Sequence, residues 1–431
     1  MTSAAPRIAA LATKVLGVPL PLRVRAWDGS EAGPRTAPVM VVRHRRALRR
    51  LVWRPGELGL ARAWVAGELD IEGDLYQALA LLRDALGEDG ARAARRLSPR
   101  DPAVREAARE LLALAGPWPP PPPPREEVRR RTGLRHSLLR DRRAVRHHYD
   151  VGNAFYELVL GPSLVYSCAY WDDAAAGDLE QAQQAKLDLV CRKLALAPGQ
   201  RLLDVGCGWG SLLLHAAREY GVRGVGVTLS QEQATLARKR IAEAGLTDRV
   251  VVRVQDYREI DDGPFDAVAS IGMAEHVGAV RYRRYAERLY ALLRDGGRLL
   301  NHQISRPPVP HERAYRVDPF IDAYVFPDGE LAPLGSTVTQ LERAGFEVRD
   351  VEALREHYAL TLRRWVANLE ADWGRAVRLV GPGRARVWRL YMAASALTFE
   401  RGGIGVNQVL AVRPEGSGRS GLPLRPRTWH G

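Results

Sequence analysis

The chain has 431 residues, which is enough for two or three domains. Its formal net charge of +14 makes it a strongly basic protein and excludes the acidic classes. No run approaches the roughly 18–20 uninterrupted apolar residues that a membrane-spanning helix needs. The basic excess leaves nucleic acid and an anionic membrane surface open as partners, although a GC-rich genome would enrich arginine in the same way. The cysteines Cys168, Cys191 and Cys207 lack metal-ligand spacing, which predicts no metal site and a reduced, cytoplasmic setting.

Residues 1–115 are predicted to form a small α+β domain with a lipid-binding, membrane or dimer role. The mildly apolar N-terminus lacks the apolar segment and cleavage site of a signal peptide and is predicted to be a first helix. Strands are predicted at 22–27 and 39–42, and helices at 60–69, 75–86 and 103–114. Residues 119–124 are six consecutive prolines, so residues 116–124 are predicted to be a stiff linker.

A dense basic segment follows the prolines. Its leucines at 134, 138 and 139 fall at helical spacing, which predicts an amphipathic helix against an anionic membrane or an ordinary solvated helix face. The arginines of this segment are Arg125, Arg129, Arg130, Arg131, Arg135, Arg140, Arg142, Arg143 and Arg146.

Strands and helices alternate through the larger domain, residues 125–414. Strands are predicted at 201–205, 222–229, 250–255, 265–271 and 297–304, and helices at 211–220, 231–244, 282–293 and 337–344. This alternation predicts an α/β fold with a doubly wound parallel sheet, whose ligands bind at the carboxyl ends of the strands. Residues 358–401 are predicted to be helical additions, and residues 415–431 a disordered tail.

The stretch RLLDVGCGWGS, residues 201–211, is a strand followed by a glycine-rich turn and a helix. Glycine lets backbone N–H groups approach a ligand closely because it has no Cβ. Ser211 stands where the dinucleotide fingerprint has its third glycine, so that motif is excluded. The combination of Asp204 with Gly206, Gly208 and Gly210 resembles the first motif of class I (Rossmann-like) S-adenosylmethionine (AdoMet)-dependent methyltransferases, which implies that it holds the amino-acid end of AdoMet.

Other cofactor contacts are predicted on neighbouring segments. The second strand ends without an acid, so either hydroxyl and amide groups such as Thr228 and Ser230 hold the ribose or another segment supplies the acid. A capping role of Thr228 and Ser230 for the next helix is compatible with both. Asp256 follows the third strand and is placed for the adenine amine. The remaining candidate contacts are Tyr166, Ser167, Leu229, Gln231, Gln233 and Tyr257.

The ordered motifs of the chain resemble the cyclopropane-fatty-acyl-phospholipid synthase family, which includes the mycolic acid cyclopropane synthases. They are HYD at 148–150, YSCAY at 166–170, the glycine motif, TLSQEQ at 228–233, SIGMAEHVG at 270–278 and NHQI at 301–304. The resemblance covers residues 125–413. It implies that a cis alkene of a phospholipid acyl chain attacks the methyl group of AdoMet, and that a base then removes a proton and closes a cyclopropane ring.

The resemblance also implies a bound bicarbonate as the base. It places Glu275, His302 and Tyr358 around this anion, with Cys168 and Ile304 contributing largely through backbone groups. From the residues alone, a carboxylate beside an imidazole can hold an oxyanion and take up a proton at neutral pH. The alternatives are a helix-capping role for Glu275 and a core role for His302. Ser395 stands where many family members have cysteine.

Two other reactions stay open at this point. The same methyl transfer with loss of a different proton would give a methylene- or methyl-branched acyl chain. The net charge also leaves an RNA or DNA methyltransferase open, but no catalytic motif or base-flipping element of such enzymes is present, so no nucleic-acid partner is expected. We expect a cytoplasmic protein, peripheral at the inner membrane face, and leave a homodimer open.

Overall fold

The computed structural model describes residues 3–95, 102–116, 119–128, 151–172, 177–312, 315 and 317–423. The motif at 148–150 and the basic segment from residue 129 onward lie outside the described residues. The chain divides into two compact units. The first comprises Met1–Arg129, Asp318–Val325 and Val380–Leu397, and the second comprises Arg130–Val317, Phe326–Leu379 and Thr398–Gly431. Three segments that the sequence assigned to the larger domain, residues 125–129, 318–325 and 380–397, therefore group with the first unit.

The first unit contains a four-stranded sheet in the order β2-β1-β3-β4. Its strands are β1 Arg23–Ala26, β2 Glu31–Ala32, β3 Val39–Val42 and β4 Leu69–Glu72. Its helices are α1 Ala4–Leu16, α2 Arg46–Trp53, α3 Glu57–Val65, α4 Leu75–Arg95 and α5 Pro102–Ala115. The helix predicted at 60–69 is wrong in its last part, because α3 ends before Gly67, whose φ is +68°, and Leu69 begins a strand that pairs with β3.

Polar contacts attach the proline run and a distant segment to this unit. Arg50, which is buried with Glu68, donates to the Pro122 carbonyl at 2.9 Å. Trp64 Nε1 donates to the carbonyl of Arg386 at 2.9 Å, and the Arg386 guanidinium lies 4.3 Å from the centre of the Trp64 ring. These contacts join residues that are far apart in the sequence, so the composition of the chain does not indicate them.

The second unit is built on an eight-stranded sheet in the order β11-β12-β9-β8-β5-β6-β7, with β10 beside β9. Strands β9, β8, β5, β6 and β7 run parallel, β12 is antiparallel to β9, and β11 is antiparallel to β12 and so runs in the direction of β9. The strands are β5 Arg201–Val205, β6 Arg223–Thr228, β7 Val250–Val254, β8 Phe265–Ile271, β9 Leu293–Arg306, β10 Ala332–Pro333, β11 Glu347–Ala353 and β12 Gly405–Val412. The predicted doubly wound α/β class is confirmed.

Helices cover both faces of this sheet. Leu202 packs with Leu213 and Ala237 on one face, and the next residue, Leu203, packs with Tyr285 and Leu289 on the other. The remaining helices of the second unit are α6 Asn153–Leu160, α7 Leu179–Leu194, α8 Ser211–Glu219, α9 Gln231–Glu243, α10 Ala274–Val277, α11 Ala279–Leu292, α13 Leu334–Arg343 and α14 Arg355–Ala371. Helix α12 Pro319–Tyr324 groups with the first unit, as does the 380–397 part of α15 Trp373–Glu400. No helix in the described ranges is both long and apolar enough to cross a membrane.

Candidate active site

The glycine turn after β5 has a backbone that only glycine adopts without strain. Gly206, Gly208 and Gly210 have φ values of +80°, +53° and +77°. A Cβ on Gly206 would lie 2.5 Å from Met273 Sδ, which is far inside van der Waals contact. The Gly206 N–H also donates to the Val227 carbonyl at 2.9 Å, which ties the turn to β6. The turn therefore presents bare backbone at the carboxyl end of the sheet.

Asp204 lies at this turn with a buried lysine that the sequence analysis did not single out. Burial raises the pKa of the Asp204 carboxyl to about 7, and the charge of Lys186 opposes that rise. Burial lowers the pKa of Lys186 to about 8. Its Nζ donates to Ser167 Oγ at 3.0 Å, so α7 contacts one predicted cofactor residue and acts on another, Asp204, through its charge. A lysine on the apolar face of α7 was the sequence signal for this contact.

The polar residues after β6 and β7 are largely engaged with each other. Ser230 Oγ accepts from the Gln233 N–H at 3.2 Å and caps α9, which confirms the capping interpretation of Ser230. Thr228 Oγ1 donates to Gln233 Oε1 at 2.8 Å. Asp256 accepts from Arg258 through both carboxylate oxygens, at 2.7 and 2.8 Å. Contacts from these residues to ribose or adenine stay predictions.

Three further residues predicted to contact the cofactor also lie in the segments that follow β6 and β7. Leu229 joins β6 to Ser230, and Gln231 is the exposed first residue of α9. Tyr257 lies edge-on to Tyr285 with ring centres 4.7 Å apart, and the Arg258 guanidinium lies 5.2 Å from the centre of the Tyr257 ring.

Neighbouring aromatic rings join the glycine turn to Tyr358. The centre-to-centre distances are 4.7 Å for Trp209–Tyr156, 5.6 Å for Tyr156–Tyr166, 5.3 Å for Tyr166–Trp365, 5.9 Å for Trp365–Tyr358 and 4.8 Å for Tyr358–Phe399. The structure therefore brings Tyr166, predicted to contact the cofactor, and Tyr358, predicted to be catalytic, into one layer of packed rings.

Glu275 reaches from α10 to β9 instead of capping its own helix. Its Oε1 accepts the Ile304 N–H at 2.7 Å, so the backbone donor of Ile304 is already engaged. Its Oε2 is buried and has no hydrogen-bond partner among the described residues. Burial raises the pKa of the Glu275 carboxyl to about 7. The capping interpretation is therefore wrong, and Glu275 presents one unmatched oxygen.

His302 lies on β9 opposite Gln408 of β12 and is 3% exposed. Gln408 Nε2 lies 3.4 Å from His302 Nδ1, and an amide donor at Nδ1 leaves the ring hydrogen on Nε2. Nε2 is buried without a partner among the described residues. Burial lowers the pKa of His302 to about 3, so the imidazole is neutral near pH 7, and within the pair the Glu275 carboxyl is the group that can take up a proton there. Gln408 had no sequence signal.

Hydrogen bonds hold these groups at one edge of the sheet. The Gly272 N–H donates to the His302 carbonyl at 2.9 Å, two residues before the contact of Ile304 with Glu275. Side chains of residues i and i+2 on a strand share a face, so His302 and Ile304 lie on the same side of β9. The buried groups without a hydrogen-bond partner among the described residues here include two acceptors, Glu275 Oε2 and Gln408 Oε1, and, with the Gln408 amide donating to Nδ1, a donor at His302 Nε2.

Cys168 connects this edge to the start of α14. Its Sγ lies 3.6 Å from the Leu354 carbonyl, and the Leu354 N–H donates to Val406, which pairs with Ile304. Burial raises the pKa of the Cys168 thiol well above its usual value, so it stays uncharged. Ser395 lies on α15 within the segment grouped with the first unit, and supplies no thiol there.

The comparisons with known proteins identify the family of the chain. The family model for mycolic acid cyclopropane synthetase matches residues 136–409. The chain belongs to this family. It is an AdoMet-dependent methyltransferase of the cyclopropane fatty acid synthase type, which confirms the resemblance seen in the motifs.

Relatives of the family match either the whole chain or its larger part. A probable fatty acid methyltransferase of Mycobacterium tuberculosis is 46% identical over 94% of this chain and 94% of its own length. The cyclopropane-fatty-acyl-phospholipid synthase of Escherichia coli is 37% identical over 62% of this chain and 67% of its own. A mycolic acid cyclopropane synthase, crystallised with S-adenosylhomocysteine and CTAB, is 35% identical with a TM-score of 0.59, over 63% of this chain and 98% of that one.

Proposed function

We propose that this family member transfers the methyl group of AdoMet to the cis double bond of an unsaturated acyl chain of a membrane phospholipid and closes a cyclopropane ring. The observation that carries the proposal is the pair of unmatched buried groups, Glu275 Oε2 and His302 Nε2. An acceptor and a donor at one sheet edge suit a small oxyanion that has both a hydroxyl and a charged oxygen, as bicarbonate has.

Methyl transfer requires a weak nucleophile to be oriented and positive charge to be stabilised. AdoMet, when bound, supplies an electrophilic methyl group. The alkene π electrons form the new carbon–carbon bond, the carbon–sulfur electrons leave with sulfur, and a carbocation remains on the acyl chain. The glycine turn with Asp204 would hold the donor, and the rings of Tyr166 and Tyr358 would turn π faces toward the cation.

Ring closure requires a proton to leave the newly added methyl group. The electrons of that C–H bond then close the third side of the ring. Bicarbonate, when bound, supplies the base that accepts the proton. Glu275 Oε2 would accept its hydroxyl hydrogen, and the neutral His302 would donate from Nε2 to one of its oxygens. Tyr358 and Cys168 would complete its surroundings.

The test is turnover of unsaturated phospholipid vesicles with methyl-labelled AdoMet in carbonate-depleted buffer. We expect a lipid product that has gained one carbon, with cyclopropane hydrogens in its proton NMR spectrum, and a rate that rises when bicarbonate is added. An absence of any lipid product would refute the proposal. A rate that does not change when bicarbonate is added would indicate that a side chain, and not bicarbonate, is the base.

A branched product is the second candidate. It is favoured by a relative that matches nearly the whole chain. A tuberculostearic acid methyltransferase of M. tuberculosis is 32% identical over 94% of this chain and 91% of its own length, whereas the E. coli cyclopropane synthase matches 62% of this chain. The two reactions share the carbocation and differ in the proton that leaves. Vinylidene hydrogens in place of cyclopropane hydrogens in the NMR spectrum would identify the branched pathway.

An anionic membrane is the proposed partner, on the basis of the arginines in the segment outside the described residues. Binding to anionic vesicles should fall with salt and with replacement of Arg129, Arg130 and Arg131 by glutamate, by about 1 kcal/mol for each charge near the surface. Equal binding to neutral and anionic vesicles, together with tight tRNA binding, would favour the nucleic-acid alternative instead.

A further inference from the structure

A buried ammonium lies among the residues predicted to hold the amino-acid end of AdoMet. Lys186 is 2% exposed, and its Nζ donates to Ser167 Oγ at 3.0 Å. Within the described residues it forms no ion pair. Lys193, one helical repeat further along α7, is also buried but pairs with Glu352 and, at 3.7 Å, with Asp350. The two lysines of one helix face therefore differ in what balances their charge.

An unpaired buried ammonium is expensive, and an apolar side chain at the same position would cost less. Asp204 is the carboxylate whose charge acts on Lys186 and opposes the effect of burial on its pKa. No donor in the described part of the chain bonds the Asp204 carboxylate. Lys186 therefore faces an acid that is itself left for a ligand.

The bond to Ser167 has only one direction. An ammonium has donors and no acceptor, so Lys186 must donate to Ser167 Oγ, and the single hydroxyl hydrogen of Ser167 must point elsewhere. The described residues offer no acceptor for this hydrogen. Ser167 is therefore arranged as a donor toward whatever occupies the space beside it.

We propose that Lys186 is a positioning residue for the amino-acid end of AdoMet, turning the Ser167 hydroxyl hydrogen toward the α-carboxylate while its charge faces Asp204, which receives the α-ammonium. A zwitterion would thus meet a fixed donor and a fixed acceptor. The inference rests on the AdoMet-binding part of the proposed function and is independent of the lipid substrate.

The test compares two ligands that differ only in the carboxylate. Calorimetry on the full chain would measure Kd for AdoMet and for decarboxylated AdoMet in the wild type, K186M, S167A and the double variant. The ratio of the two Kd values isolates the carboxylate, because any effect through Asp204 acts on the ammonium of both ligands. We expect the preference for AdoMet to fall about 10- to 100-fold in K186M and in S167A, the range for a hydrogen bond to a charged group.

Two controls separate positioning from structural damage. K193M removes the other buried lysine of α7, and it should lower stability without changing the ratio. Affinity for 5′-methylthioadenosine, which lacks the amino-acid end, should change by no more than about twofold in K186M. If Lys186 acts through Ser167, the double variant should match S167A within about twofold.

The inference is overturned if K186M or S167A keeps the wild-type ratio, or if the two losses add in the double variant. Should K186M not fold, K186Q takes its place with the same expected fall, and an unchanged ratio again overturns the inference. Failure of lipid turnover in the wild type would refute the lipid assignment while leaving these ratios intact. The two failures are therefore distinguishable.

Discussion

Replacing Glu275 with glutamine separates catalysis from packing. In the structure, Oε1 accepts the Ile304 N–H at 2.7 Å, and Oε2 is buried without a partner among the described residues. The amide oxygen of glutamine can keep the bond to Ile304, and the amide nitrogen takes the place of Oε2. Glu275→Gln therefore keeps the shape and removes the charge and the acceptor that the proposed oxyanion requires.

We expect turnover to fall about 10²- to 10⁴-fold, the usual range for loss of general-base function. The free energy of unfolding of Glu275→Gln, in contrast, should be higher than that of the wild type at neutral and basic pH. Burial raises the pKa of Glu275 from 4.5 to about 7, so the unfolded chain loses its proton at lower pH than the folded protein. The wild type therefore loses stability as pH rises from 4.5 to 7, by up to about 3 kcal/mol, and the loss persists above pH 7.

The assay is urea unfolding of both proteins at pH 5 and pH 8, together with lipid turnover and AdoMet calorimetry at pH 8. Glu275→Gln should be more stable than the wild type by about 3 kcal/mol at pH 8 and by about 1 kcal/mol or less at pH 5, with unchanged AdoMet affinity. Glu287→Gln, at an exposed carboxylate of α11 paired with Arg283, is the matched control and should change none of these quantities by much. Wild-type turnover in Glu275→Gln, or an equal stability difference at both pH values, would refute the reasoning.

Three further substitutions test other parts of the site. Gly206→Val should abolish AdoMet binding in calorimetry, whereas Gly245→Val, also at positive φ but with open space around its Cβ, should leave it intact; equal affinities would remove the glycine turn from the cofactor site. Tyr358→Phe keeps the ring, so turnover should fall about tenfold with unchanged AdoMet affinity, and an unchanged rate would exclude the hydroxyl. Gln408→Leu removes the amide beside His302 Nδ1, so the hydrogen of the ring is no longer held on Nε2, and turnover should fall about tenfold in the same assay. A wild-type rate would show that Gln408 does not orient the ring.

Sequence patterns determined the central sheet and the glycine turn. Strands β5 and β8 have the predicted bounds, and β6, β7 and β9 differ only at their ends. The reason is local: a parallel strand buried on both faces is a short continuous apolar run, and helices between such strands follow the 3.6-residue period. Because carboxyl ends of parallel strands share one edge, the order of Asp204, Glu275 and His302 along the chain already indicated a common site.

Tertiary structure alone decided which side chains meet within that site. Glu275 bonds a backbone group 29 residues away, and His302 contacts Gln408 from a strand 106 residues away. Lys186 reaches Ser167 from a neighbouring helix, and burial rather than residue type keeps His302 neutral. Pairing across β9 and β12 and exclusion of water depend on the packed chain as a whole, and neither leaves a local pattern in the sequence.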